Sequence, residues 1–151
     1  MSIMTTLAQA QAMLPESKLI NVSVEAAQEL AISRVGTDSR QIERNELFVA
    51  LVGERFDAHD FLSDVAKAGA GAALISSQDK CPADLPAICV SNTRVGLGNL
   101  AKAWRANHPI PLALVTGSNG KTTVKEMIAS IFKAAVGEQH TLVTKGNLNN
   151  D

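Results

Sequence analysis

Thr116-Gly117-Ser118-Asn119-Gly120-Lys121-Thr122-Thr123 sets two glycines, a lysine and a run of hydroxyls between an apolar stretch and a helical pattern. These residue types hold anions. Gly117 and Gly120, lacking Cβ, reach backbone angles that turn successive N–H groups inward toward phosphate oxygens. A helix starting near Lys121 adds its positive dipole end. The lysine ammonium then neutralises β- and γ-phosphates, and the Thr122 hydroxyl ligates Mg²⁺. The candidate triphosphate cradle is therefore Gly117, Ser118, Asn119, Gly120, Lys121, Thr122 and Thr123, with Lys121 as its catalytic residue and Thr122 as its metal ligand. One position departs from the general P-loop pattern: Val115 stands where a glycine is usual, five places before Gly120. The competing reading is a glycine turn whose lysine and threonine are only solvated. The order of strand, turn, Lys-Thr and amphipathic helix favours the cradle.

The elements that must position this loop follow from hydrophobic periodicity. Residues 110–115 are apolar and predict a buried strand; Val124, Met127, Ile128, Ile131, Phe132 and Ala135 predict one face of a helix over 121–136. A further strand is expected over 141–144. Upstream, the pattern predicts a helix over 5–14 ended by Pro15, and mixed short elements over 18–36. A buried strand follows over 47–52, then a helix over 57–68 with Phe61, Leu62, Val65 and Ala66 inward, stopped by Gly69. Short strands are expected at 72–75 and 87–90, joined by the proline-bearing loop 81–86. Thr93 is expected to cap a helix running to about Asn107, with Leu97, Leu100, Ala101 and Trp104 on its inner face. The prolines of His108-Pro109-Ile110-Pro111 mark a linker. The expectation is an α/β domain over 1–107 and, over 108–151, the opening of a second, P-loop parallel-sheet domain. One βαβ piece cannot cover both faces of a parallel strand, so the sequence reads as the N-terminal part of a longer protein.

Bulk properties narrow the chemistry. The 151 residues are 46 % hydrophobic, enough to bury a core, with a formal net charge of −1 and 3 % aromatics. That balance argues against a nucleic-acid groove, which needs a basic surface and stacking rings. Cys81 and Cys89 lack CxxC spacing and read as a reduced pair; His59, His108 and His140 are scattered, without zinc-site spacing. The N-terminal stretch has no basic n-region, and no apolar run is long enough to span a bilayer. A cytoplasmic protein without membrane insertion is expected.

Three segments carry a family resemblance. The first is Thr37-Asp38-Ser39-Arg40 with Leu47-Phe48-Val49-Ala50-Leu51 and Gly53-Glu54-Arg55-Phe56-Asp57-Ala58-His59-Asp60-Phe61. The second is Thr-Gly-x-x-Gly-Lys-Thr over 116–122, a shorter P-loop that accounts for Val115. The third is Thr144-Lys145-Gly146-Asn147-Leu148-Asn149-Asn150-Asp151. Together they resemble the Mur ligases, ATP-dependent amide-forming enzymes of peptidoglycan precursor synthesis. The first and third are most similar to the member that joins D-alanyl-D-alanine to UDP-N-acetylmuramoyl-tripeptide. The resemblance implies a UDP-binding first domain, a central ATPase domain and a third domain, with ATP and Mg²⁺ as cofactors. It also implies a two-step reaction through an acyl phosphate, of which this chain alone is expected to be incapable. Two alternatives stay open: the sister ligase that adds the third stem residue, and a non-catalytic nucleotide-sugar-binding module.

The same resemblance implies substrate contacts at Ser39, Arg40, Glu54, Arg55, Phe56, Asp57, His59 and Asn147. A guanidinium such as that of Arg40 matches a pyrophosphate bidentately; on the residues alone, Asp38-Ser39-Arg40 reads as a polar turn. Residues 54–57 follow a strand end, a usual place for ligand contacts in α/β folds. Phe56 is read either as a platform for uracil or as a core residue beside Phe61. His59 is read either as a substrate contact or as part of a first helical turn capped by Asp57. Asn147 leads a polar cluster near the P-loop, against the alternative of an asparagine-rich turn.

Overall fold

The computed structural model describes residues 3–144, and the chain divides into two compact units between Pro109 and Ile110. In the first unit the elements run β1 (Thr5–Thr6), α1 (Leu7–Ala12), β2 (Lys18–Ile20), α2 (Val24–Glu29), β3 (Ala31–Ile32), β4 (Arg34–Gly36) and β5 (Glu46–Val49). They continue with α3 (Leu62–Lys67), β6 (Ala72–Ile75), β7 (Ala87–Cys89) and α4 (Thr93–Ala106). A five-stranded sheet has the order β2-β7-β6-β5-β4, and β1 pairs with β3 in a separate two-stranded ribbon. β4, β5, β6 and β7 are mutually parallel, and only β2 runs against its neighbour.

The strands are apolar at nearly every position because both sheet faces are covered. Leu47, Val49, Ala72, Leu74 and Ile88 point to one side, where α1, α2 and α4 contribute Leu7, Ala10, Ala27 and Leu100. Phe48, Ala73, Ile75 and Ala87 point to the other, against Leu62 and Val65 of α3. Gly96 lets α4 lie close to the sheet: a Cβ there would stand 3.2 Å from Val90 and 3.3 Å from Leu74. α1 begins at a capping box in which Thr6 and Gln9 exchange side-chain and backbone bonds.

Several local expectations are corrected. Asn92, not Thr93, caps α4; its Oδ1 accepts from the N–H groups of Arg94 and Val95 at 3.0 Å each. Asparagine ranks above threonine at that position. Thr93 is instead buried, donating its hydroxyl to the Ala50 carbonyl at 2.8 Å. Ala101 is exposed, and the inner face of α4 is led by Thr93, Gly96 and Leu100. Phe61 is 45 % exposed. The expected helix over 57–68 opens as a 3₁₀ turn, Ala58–Phe61, whose three residues per turn throw off the phase of a 3.6-residue pattern.

The second unit holds α5 (Lys121–Val136) as expected. The strands expected over 110–115 and 141–144 do not form: among the described residues this unit contains no strand. Leu112 and Leu114 are 64 % and 86 % exposed. An apolar run becomes a strand only where a neighbour takes up its backbone N–H and C=O groups. The apolar stripe of α5 is correspondingly open, with Val124, Met127 and Ile131 exposed. No described helix is long and apolar enough to cross a membrane.

Candidate functional site

Parallel strands end together, so the loops after β4, β5, β6 and β7 share one edge of the sheet. Thr37-Asp38-Ser39-Arg40 follows β4; residues 50–57 follow β5; Ser76 and Lys80 follow β6; Asn92 and Arg94 follow β7. Thr93, reaching from α4 to Ala50, fastens the last of these segments to the second. A sheet edge of this kind is where open α/β folds bind ligands.

After β4, Asp38 grips its own turn. Its Oδ1 accepts from the Arg40 backbone N–H at 3.1 Å and from Arg40 Nε at 2.8 Å, while Oδ2 accepts from Arg40 Nη2 at 2.9 Å. The guanidinium bonds hold the Asp38 carboxyl at about 2, well below its ordinary value. Arg40 remains largely exposed at the end of this clip, beside half-buried Ser39.

After β5 the chain makes a tight turn. Gly53 N–H donates to the Phe56 carbonyl at 2.9 Å, and Ala58 N–H to the Leu51 carbonyl at 3.0 Å. The Phe56 ring lies over Gly53, where a Cβ would come within 2.6 Å of it. Phe56 is 58 % exposed, so it is not a core residue beside Phe61. Glu54 and Arg55 are exposed at the tip of the turn.

Asp57 and His59 are placed differently. Asp57 caps the 3₁₀ turn, accepting from the His59 backbone N–H at 3.0 Å. The His59 side chain is buried: Nδ1 stands 2.6 Å from Asp57 Oδ1, and Nε2 accepts the Ser76 backbone N–H at 2.9 Å. Lys80 Nζ donates to Asp57 Oδ2 at 2.8 Å and to Asp60 Oδ1 at 2.6 Å. The Lys80 ammonium leads the interactions that hold the Asp57 carboxyl far below the ordinary carboxylate range. Sequence reasoning missed Ser76, Lys80 and Arg94. An asparagine-initiated helix could have pointed to the Arg94 turn; nothing local in the sequence announces the reach from Lys80 to Asp57.

In the second unit, Gly117 (φ 142°) and Gly120 (φ 75°) take the positive angles that only glycine adopts freely. Gly120 is the N-cap of α5, and no side chain caps that end. The N–H groups of Lys121, Thr122 and Thr123 thus precede the first intrahelical bond and face outward along the axis. Lys121 folds back, its Nζ donating to the Gly117 carbonyl at 2.5 Å. Ser118, Asn119, Thr122 and Thr123 are exposed around it. These residues fit a phosphate chain: two left-handed glycines, an uncapped helix end, one ammonium and one hydroxyl at the head of the helix. Lys125 Nζ ties the helix to the Thr144 carbonyl at 2.7 Å; Asn147 lies outside the described residues.

Among the described residues no three His, Cys, Asp or Glu side chains are gathered as a protein-only metal site requires. Cys81 and Cys89 are free thiols, and burial pushes the Cys81 thiol up, away from reactivity.

Comparison with known proteins matches residues 31–111 to the Mur ligase family, catalytic domain, and residues 115–151 to the Mur ligase middle domain. The UDP-N-acetylmuramoyl-tripeptide--D-alanyl-D-alanine ligase of Escherichia coli (strain K12) is 45 % identical over 133 residues, 88 % of this chain and 28 % of the relative. A crystal structure of MurF from Acinetobacter baumannii superposes with a TM-score of 0.80 at 36 % identity, over 96 % of this chain and 30 % of that one. MurF ligase from Thermotoga maritima in complex with ADP matches at 30 % identity and a TM-score of 0.57, over 67 % of this chain and 23 % of that one. The chain spans under a third of the length of these relatives.

Proposed function

Because the chain belongs to the Mur ligase family, we propose that the protein carrying it is the ATP-dependent ligase that joins D-alanyl-D-alanine to UDP-N-acetylmuramoyl-tripeptide. The observation that carries this reading is the set of polar and aromatic groups on one sheet edge, half-buried Ser39 and exposed Arg40 after β4 and exposed Glu54, Arg55 and Phe56 after β5. Arg55 has the exposed fork that a diphosphate needs, and Phe56 the open face on which a uracil stacks. The match to the ligase of E. coli supports the choice of substrates.

The chemistry is an activated amide synthesis. The terminal carboxylate of the tripeptide attacks the γ-phosphorus of ATP, and ADP leaves. The amine of D-alanyl-D-alanine then attacks the acyl phosphate, inorganic phosphate departs, and the amine loses a proton. Residues 117–123 hold the phosphates, with backbone N–H groups and Lys121 opposing their charge. Lys121 is drawn off the Gly117 carbonyl when a phosphate oxygen replaces it. The Thr122 hydroxyl is the cradle's ligand for Mg²⁺, which when bound supplies further charge neutralisation. Catalysis of this kind is positioning and electrostatics more than covalent participation. All three substrates are soluble small molecules, which fits a cytoplasmic protein that acts without nucleic acid or membrane insertion.

Phosphate release by the full-length protein tests this directly. Release is expected only when ATP, UDP-N-acetylmuramoyl-tripeptide and D-alanyl-D-alanine are all present. Release that instead requires the UDP-linked dipeptide and a single amino acid would assign the sister reaction and overturn this one.

A further inference from the structure

The turn at 53–56 presents Arg55 and Phe56, yet its own bonds are a few backbone contacts within residues 51–58. What ties its far end to another element is the network behind it. Lys80 ends a 3₁₀ turn, Gln78–Lys80, that follows β6. Its ammonium spans Asp57 at 2.8 Å and Asp60 at 2.6 Å. A second tie runs through His59, whose Nε2 accepts the Ser76 backbone N–H at 2.9 Å. A ring nitrogen accepting an N–H carries no proton of its own, so the imidazole is the neutral form with its proton on Nδ1, donated to Asp57 Oδ1. The Ser76 hydroxyl, 3.5 Å from Nε2, gives the outline of a Ser-His-Asp relay. The relay is not functional: the lone pair a general base needs is already engaged by the backbone N–H.

Charge decides what the cluster can bind. One ammonium between two carboxylates leaves it net negative, so it repels phosphate. Arg55, exposed two residues away and without a hydrogen bond or ion pair among the described residues, attracts it. We propose that Lys80, acting through Asp57, Asp60 and His59, is a positioning residue that sets the 53–56 turn so that Arg55 and Phe56 meet the uridine diphosphate end of the substrate. Lys80 touches no substrate, and Asp57 and His59 serve the turn rather than the nucleotide. This rests on the assignment of the turn to the UDP end made above.

The test uses the full-length protein, UDP as the calorimetric probe, and amide exchange at Gly53, His59 and Ser76. Lys80→Met is expected to weaken UDP binding about tenfold and to speed exchange at those amides. The KM for ATP should stay unchanged, and the melting temperature should fall by a few degrees at most, the loss expected of partly exposed ion pairs. Lys80→Arg, which keeps the charge and the reach, should restore both readouts. In an Arg55→Ala/Phe56→Ala background the effect of Lys80→Met on UDP should shrink to less than about twofold, since the groups it positions are gone. Unchanged amide exchange in Lys80→Met, or an undiminished effect in the double-alanine background, overturns the proposal. If Arg55→Ala/Phe56→Ala binds UDP as tightly as the unaltered protein, the assignment of the turn to the UDP end falls first, and the proposal falls with it.

Discussion

Arg40 and Arg55 present the same guanidinium in two conditions. Arg40 is clipped to Asp38 by two side-chain bonds, so an incoming phosphate must compete with a carboxylate; Arg55 meets no such rival. The depressed Asp38 carboxyl makes the clip measurable. A lowered folded value means that the interaction is fully present above the ordinary value near 4 and is lost as pH falls toward about 2. Carboxyl NMR titration should place the Asp38 midpoint near 2, and Arg40→Ala should raise it toward the ordinary value of about 3.9 without reaching it, since the backbone N–H of residue 40 still donates to Asp38 Oδ1. Arg55→Ala should raise the KM for the UDP-linked peptide about tenfold, the size of one charge-assisted contact, and leave that for ATP in place. Equal changes in both KM values would separate Arg55 from the nucleotide-sugar end. In the proposed reaction Lys121 belongs to the ATP end. Lys121→Ala should lower kcat by about a hundredfold or more while calorimetric UDP affinity persists; a matching loss of UDP affinity in a folded variant would contradict that division of labour.

At the scale of elements, the first turn of α4 is the fastening for the sheet edge. Thr93 is buried and its hydroxyl satisfies the carbonyl of Ala50, the residue at which the chain leaves β5 for the candidate loop. Thr93→Val keeps the volume and removes the donor, leaving a buried carbonyl unpaired. A loss of about 1–3 kcal/mol is expected in urea unfolding of the first unit, with Thr93→Ser close to the original. A cost indistinguishable from zero in Thr93→Val would mean that α4 is held by packing alone. The 3₁₀ turn at Ala58–Phe61 has a comparable role: it buries His59 between Asp57 and Ser76 and leaves Phe61 exposed.

At the scale of the whole chain, the two units differ in what they bury. The first owns two hydrophobic clusters, one on each face of its sheet. Among the described residues the second has one α-helix, with an exposed apolar stripe, and a short 3₁₀ turn after it. Residues 1–109 expressed alone should therefore unfold cooperatively in urea and retain UDP binding, because a domain with its own core folds independently. Residues 110–151 alone should show only partial helicity by circular dichroism, since an isolated helix of this length is marginal in water. Cooperative unfolding of residues 110–151 would show a core that the exposed stripe of α5 argues against.

The sequence by itself determined the elements that depend on local chemistry. Gly117 and Gly120 mark the turn before α5, and β6 and β7 fall on their apolar runs, as α3 does on its helical pattern up to Gly69. Family-specific strings also point to Arg40 and residues 54–57 as candidate contacts. Tertiary structure decided what depends on neighbours. The apolar run at 110–115 has all the character of a strand and forms none, because backbone pairing needs a partner that periodicity cannot supply. Asp57 and His59 look like Arg55 in the linear string, yet they face Lys80 and Ser76, 23 and 17 residues further along. Only the parallel order of β5 and β6 brings those loops side by side, and contacts made across that distance leave no periodic mark in either segment.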